Sequence, residues 1–189
     1  VGYAPSQQDV VASISTIRST IQQSGANAVF LTSPTSTALP LLTQLMPEAG
    51  IDPLQTQYIG LTRWDIPAQT LSLPGVQGGW FAVPDPDLSA QFDARYLAAY
   101  GAEPHNLSGL AYDAVAAIGA MIASARQSGA ASAFAVDRIT NPAGFAGVNG
   151  IFRFNFDGTN QRGLAIMQVG AGTASVISPA PRFFGASGS

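Results

Sequence analysis

Arg63 and Trp64 have the clearest chemical potential in the chain. They follow a short apolar run, Gln57-Tyr-Ile-Gly-Leu61, with Thr62 between. A guanidinium can hold a carboxylate through two parallel hydrogen bonds, and an indole beside it can cover the bound group. Asp65 lies two residues on, so a local Arg63–Asp65 surface pair is the competing reading. A second polar set, Ser33-Pro-Thr-Ser-Thr37, follows the run Ala28-Val-Phe-Leu-Thr32. The hydroxyls of Ser33 and Thr35 can meet a ligand, and the helix start after them can offer backbone N–H groups to an anion. Plain helix capping is the alternative. Tyr112 and Asp113 interrupt an otherwise apolar stretch, 107–122. A charge in such a stretch must be paired or hydrogen-bonded, and local backbone groups are the simplest partners.

Other chemistries find no support. Cys is absent, which removes disulfides, thiolate metal sites and a Cys nucleophile. The single His, His105, sits in Glu103-Pro-His-Asn and shares no motif with a Ser or Asp, so it forms neither a metal site nor a catalytic dyad. Gly78-Gly79 precedes a strand rather than a helix, so it is no phosphate loop. Asn106-Leu-Ser108 matches a glycosylation sequon, a pattern common by chance. No cofactor is implied.

Those residues need elements to position them. Val10, Ile14, Ile17 and Ile21 share a helical face behind Asp9 as cap, and Gly25 supplies a left-handed end. Ala28–Thr32 reads as a buried parallel strand. A second helix carries Leu39, Leu42, Leu45 and Met46, with Pro40 tolerated in its first turn. Gln57–Leu61 and Gly79–Val83 are the next strands. This alternation predicts an α/β fold with a mostly parallel sheet and helices on both faces. Ligands of such sheets sit beyond the carboxyl ends of the strands, which is where Ser33, Thr35, Thr62, Arg63 and Trp64 fall.

Further along, Pro84-Asp-Pro-Asp caps a helix with Phe92, Tyr96, Leu97 and Tyr100. The helix from Leu107 to about Ala125 is apolar nearly all round and is expected in the core. A shorter helix is expected near Ser132–Thr140. Phe152, Phe154 and Phe156 alternate with Arg153 and Asn155, the period of a half-buried strand. Asp157-Gly158 is the turn that returns Arg162–Val169 as its hairpin partner. The tail from Ser178 is expected to be extended on the surface.

At 189 residues, 47% hydrophobic and 10% charged, the chain is globular. Net charge is −3 and all eight cations are Arg, without clustering, so nucleic acid is excluded as a partner. No apolar run reaches the roughly 20 residues that span a bilayer. The chain opens on Val1-Gly-Tyr-Ala, without a signal peptide, and is expected to be a processed or truncated product.

The order of buried helix, long loop and Phe-rich hairpin resembles the C-terminal portion of the type 1 periplasmic binding proteins of the leucine/isoleucine/valine kind. Leu73-Pro-Gly-Val-Gln-Gly-Gly-Trp-Phe-Ala, Leu110-Ala-Tyr-Asp-Ala-Val, Gly144-Phe-Ala-Gly and Arg162-Gly-Leu-Ala-Ile resemble the penicillin-binding protein activator lipoproteins most closely. The resemblance implies a second lobe at 1–82 and 165–179, a return segment of an incomplete first lobe at 83–164, and a tail at 180–189. It implies a non-enzymatic envelope protein that regulates a peptidoglycan synthase through protein contacts. The alternative is a solute receptor delivering an amino acid or related small polar ligand to an ABC permease. It implies a periplasmic location, with a lipid anchor on an N-terminal segment outside this chain. It also lets Tyr112 and Asp113 face a ligand cleft.

The match is not complete. Amino-acid binders of this group place a carboxylate just after the strand, where this chain has Thr62, and an aromatic ring at the loop matched by Ser33-Pro34-Thr35. The resemblance therefore does not carry branched-chain specificity. Two full lobes need roughly 300 residues, about 150 per domain. With 189, the helix from Leu107 is expected to be covered by another polypeptide, either a first-lobe remnant or a second copy in a swapped dimer.

Overall fold

A computed structural model describes residues 1–4 and 6–185. The chain divides into two compact units: Val1–Val83 with Ile166–Ser178, and Pro84–Ala165 with the segment from Pro179. The end of the tail, 186–189, lies outside the described residues.

The first unit is α/β. Helix α1 (Gln7–Ser24) is capped by Ser6, whose hydroxyl accepts from the Asp9 amide at 3.1 Å. The cap is thus one turn earlier than Asp9, because a hydroxyl three residues ahead reaches the same orphan amide. Gly25 ends the helix at φ 65°. Strands β1 (Ala28–Leu31), β2 (Gln57–Gly60) and β3 (Trp80–Val83) pair in parallel, β1 with β2 and β2 with β3, with helix α2 (Ala38–Glu48) crossing from β1 to β2. Strands β7 (Ala165–Gly170) and β8 (Thr173–Ser178) complete the sheet in the order β1-β2-β3-β7-β8. The expectation of a mostly parallel α/β sheet holds; the antiparallel pair β7–β8 was not expected.

Two expectations for this unit change. β1 is the sheet edge rather than a buried strand, and Phe30 is 58% exposed. The run Ala165–Gly170 does not return on the Phe-rich strand; it joins the large sheet, where the Val169 amide bonds the Gly79 carbonyl at 2.9 Å. The core gathers Val10, Leu39, Leu42, Met46, Tyr58, Phe81 and Val169.

The second unit holds helices α3 (Pro86–Tyr100), α4 (Ser108–Ser128) and α5 (Val136–Ile139), and a three-stranded antiparallel sheet of β4 (Phe145–Gly147), β5 (Gly150–Phe154) and β6 (Asn160–Arg162). Asp85 caps α3 by accepting from the Asp87 and Leu88 amides. Asp157-Gly158 makes the expected turn, and the Thr159 hydroxyl and amide hold the Asp157 carboxyl below its usual range. The period-2 burial of the phenylalanines fails. Phe152 is buried, Phe154 is half-buried, and Phe156 is 82% exposed because it lies in the turn beyond β5.

Helix α4 is the larger correction. Its buried face is a single line of Gly109, Asp113, Ala117, Met121 and Ala125, packed toward β4. The other side leaves Val115 70% exposed, with Tyr112, Ile118 and Leu110 also open. Uniform apolarity therefore did not translate into burial within these residues. At 21 residues with a mean hydropathy of 1.4, α4 also meets the length and composition of a membrane span, contrary to the sequence reading. Asp113 on its packed face explains its place in this unit instead.

Candidate functional site

The carboxyl ends of β1 and β2 bring Ser33, Thr35 and Thr62 together, as the strand-end rule requires, but their hydroxyls point into the fold. The Ser33 and Tyr3 hydroxyls share a hydrogen bond at 2.5 Å. The Thr62 hydroxyl donates to the Ser33 carbonyl at 3.2 Å, and the Thr35 hydroxyl donates to the Ile66 carbonyl at 2.9 Å. These bonds tie the loop after β1 to the loop after β2 and to the start of the chain. Nothing in the sequence announced Tyr3 or the Ile66 carbonyl, since partners about 30 residues apart leave no local signature.

Arg63 takes the local alternative. Its Nε donates to Asp65 Oδ1 at 2.9 Å, and its second nitrogen contacts the other carboxylate oxygen. The pair is bidentate but partly exposed, so it contributes about 1 kcal/mol or less. A guanidinium has five N–H donors. The Asp65 pair leaves some of those of Arg63 for another acceptor.

Trp64 departs from its expected role. It is fully buried, its ring stacks on Phe81 with centroids 6.0 Å apart, and it fills the space left by two glycines. A Cβ at Gly60 or at Gly79 would overlap the indole. A ring in that position cannot lie over a ligand; it is a core residue delivered by a loop. The signal available in the sequence was the glycine pattern, because Gly60 in β2 and Gly79 before β3 mark a close approach.

Tyr112 and Asp113 belong to the second unit. The Tyr112 ring tilts against Phe92 at 5.4 Å and is half exposed. Asp113 is fully buried. Its Oδ1 accepts from the Val148 amide at 2.6 Å, and Arg162 approaches Oδ2 at 3.6 Å while lying over the Phe152 ring. A Cβ at Gly147 would overlap the carboxylate, so β4 passes closely by it. The charge is satisfied, but not by local backbone groups: its partners Val148 and Arg162 lie far along the chain, and they join α4 to the small sheet. Arg162 is the partner that sequence spacing could not identify. His105 accepts from the Leu107 amide at 3.2 Å, a loop role. Among the described residues, no three His, Cys, Asp or Glu side chains cluster as a metal site.

Comparison with known proteins agrees with this architecture. Residues 1–174, most of both units, match the family described as Periplasmic binding protein. No curated protein gives a significant match. Among solved structures, a protein of branched-chain amino acid ABC transport from Rhodospirillum rubrum is similar at TM-score 0.67 and 22% identity, over 87% of this chain and 48% of its own. A branched-chain amino acid ABC transporter ligand-binding protein from Burkholderia xenovorans gives 0.60 and 17%, over 89% and 48%. A leucine-binding protein from Thermotoga maritima gives 0.58 and 18%, over 95% and 51%. The chain spans about half the length of each. At these identities the likeness establishes the type 1 periplasmic binding protein fold. With the family match covering most of its length, the chain belongs to the periplasmic binding protein family.

Proposed function

We infer that this chain is part of a non-enzymatic periplasmic protein that regulates a peptidoglycan synthase through protein contacts, like the penicillin-binding protein activators it resembles in sequence. One observation carries the reading. The strand-end side chains that would receive a small ligand are engaged inside the chain: Ser33 with Tyr3, Thr62 with the Ser33 carbonyl, Thr35 with Ile66, Arg63 with Asp65, and Trp64 in the core. A receptor for a polar solute needs convergent free polar groups, and an activator does not. A lipid anchor on a preceding segment would hold such a protein near its synthase.

The second reading is a solute receptor for an ABC importer. Two things favour it: the transport assignments of the similar structures, and the remaining N–H groups of the partly exposed Arg63. In that reading Ser33, Thr35, Thr62 and Arg63 line the ligand site of the first unit. A reconstituted synthase assay separates the two. Addition of the full-length protein raises glycan polymerisation or crosslinking if the first reading is right. No stimulation, together with a solute bound tightly by wild type and weakly by Arg63→Ala, would replace it with the second.

A further inference from the structure

Strand β8 (Thr173–Ser178) closes one side of the large sheet and pairs only with β7. Such an edge offers a row of main-chain N–H and C=O groups spaced to take another extended chain. The pairing with β7 fixes which of these groups face outward. The connecting turn has positive φ at Ala171 and Gly172, 50° and 76°, the two-residue type I′ form, so Gly170 and Thr173 exchange both hydrogen bonds. Bonded and non-bonded pairs alternate from there. Val169 agrees with this phase: its amide donates to the Gly79 carbonyl and its carbonyl accepts from the Gly78 amide, on the side away from β8. Thr173 and Ser175 therefore turn their main-chain groups toward β7, and Ala174 and Val176 turn theirs outward.

Charge and proline, which protect natural edges from pairing, are both missing here. From Gly163 to Ser178 the chain carries neither. The short turn Ala68–Ser72 approaches β8, yet Thr173, Ser175, Val176 and Ile177 stay exposed, Val176 by 46%. A bulge at Ile177 ends the regular ladder and leaves Thr173–Val176 in register.

We propose that β8 is a self-association strand, pairing antiparallel with β8 of a second copy about a twofold axis through Ser175. This register matches both outward residues at once: Ala174 of each copy opposes Val176 of the other, which gives four hydrogen bonds across the axis. Ser175 opposes itself, and two small neutral side chains meet without like-charge repulsion. The edge is thus its own complement, as an isologous contact requires, and this favours a second copy over an unrelated strand. The two five-stranded sheets become continuous. So few pairs make a small interface, so the dimer is weak and forms as concentration rises. The contact lies away from the strand-end residues and does not depend on the regulatory function inferred above.

The chain has no cysteine, so single introduced thiols report the contact cleanly. In the proposed register the two Ser175 Cα atoms lie about 4.5 Å apart, within disulfide reach. The two Thr173 Cα atoms are offset by four residues and lie roughly 14 Å apart, out of reach. Under mild oxidation the full chain carrying Ser175→Cys should give a disulfide dimer, and the one carrying Thr173→Cys should not. Sedimentation equilibrium of wild type should show a concentration-dependent dimer. Val176→Pro removes an outward amide from each copy and no hydrogen bond within the chain, so it should raise the dimer dissociation constant at least about tenfold. Ser175→Lys, which sets like charges opposite one another, should act the same way. Val115→Ser, on the open face of α4, should leave this dimer in place. Circular dichroism checks that each variant folds, and Ser175→Lys changes only an exposed side chain if Val176→Pro does not fold. A monomer at every concentration, equal crosslinking through positions 173 and 175, or dissociation by Val115→Ser but not by Ser175→Lys would each overturn the proposal. None of these outcomes depends on synthase stimulation.

Discussion

In the first unit, a loop tryptophan is withdrawn completely from solvent; in the second, a helix apolar nearly all round leaves most of its circumference open. Trp64 is buried because two glycines, Gly60 and Gly79, leave its ring a slot against Phe81. Helix α4 stays open because the small sheet contacts only one line of its residues, most of them small. That line is held by a charge, Asp113, rather than by apolar area. Burial therefore follows from the presence of a complementary surface, and hydropathy alone does not supply one.

The difference can be tested by substitution, starting with the strongest effect. Trp64→Ala empties the slot between the glycines and should destabilise the fold by about 3–5 kcal/mol in chemical denaturation. A loss below about 1 kcal/mol would mean the ring is not a core element. Asp113→Ala should cost about 2–4 kcal/mol, because it leaves the Val148 amide unsatisfied and Arg162 without its partner. Asp113→Asn keeps the Oδ1 acceptor and should cost clearly less. Equal losses for the two variants would point to charge, not the amide bond, as the link between α4 and β4.

Thr35→Val removes one loop-to-loop hydrogen bond and should cost about 1 kcal/mol. At alkaline pH the first unit should also weaken. Burial, aided by Asp52, raises the Tyr58 phenol above its ordinary 10.0, and its hydroxyl donates to the Ile51 carbonyl at 2.6 Å. A raised folded-state value means the stabilisation is present below pH about 10 and is lost as pH rises beyond it. Tyr58→Phe should flatten that part of the stability–pH curve. The smallest effect is expected at α4: Val115→Ser should change stability by no more than about 0.5 kcal/mol. It should nevertheless reduce self-association in light scattering if the open face drives it. A large loss of stability would show that Val115 is packed.

Much of the first unit was legible because its signals are local. The alternation of apolar runs with amphipathic helices specified β1, α2, β2 and β3, and Gly25 marked the end of α1. The residues alone did not show the pairing of Ala165–Gly170 with β3 and β8, since a short apolar strand does not announce its partner; only the resemblance grouped 165–179 with 1–82. At the candidate site, the strand-end position of Ser33, Thr35, Thr62 and Arg63 was readable, as was the chance that Arg63 would turn to Asp65. Their engagement with Tyr3, Ile66 and one another was not, because each depends on contacts across about 30 residues. For Asp113 the need for a partner was evident, but not the choice of Val148 and Arg162.

The central claim is that the protein works through contacts with another protein while its strand-end polar groups serve its own fold. Surface plasmon resonance between the full-length protein and purified peptidoglycan synthase, with wild type and Arg63→Ala in parallel, tests it most directly. The account predicts saturable binding with the same Kd for both. Absence of binding to the synthase, with a small anionic solute captured by wild type and released by Arg63→Ala, would contradict it.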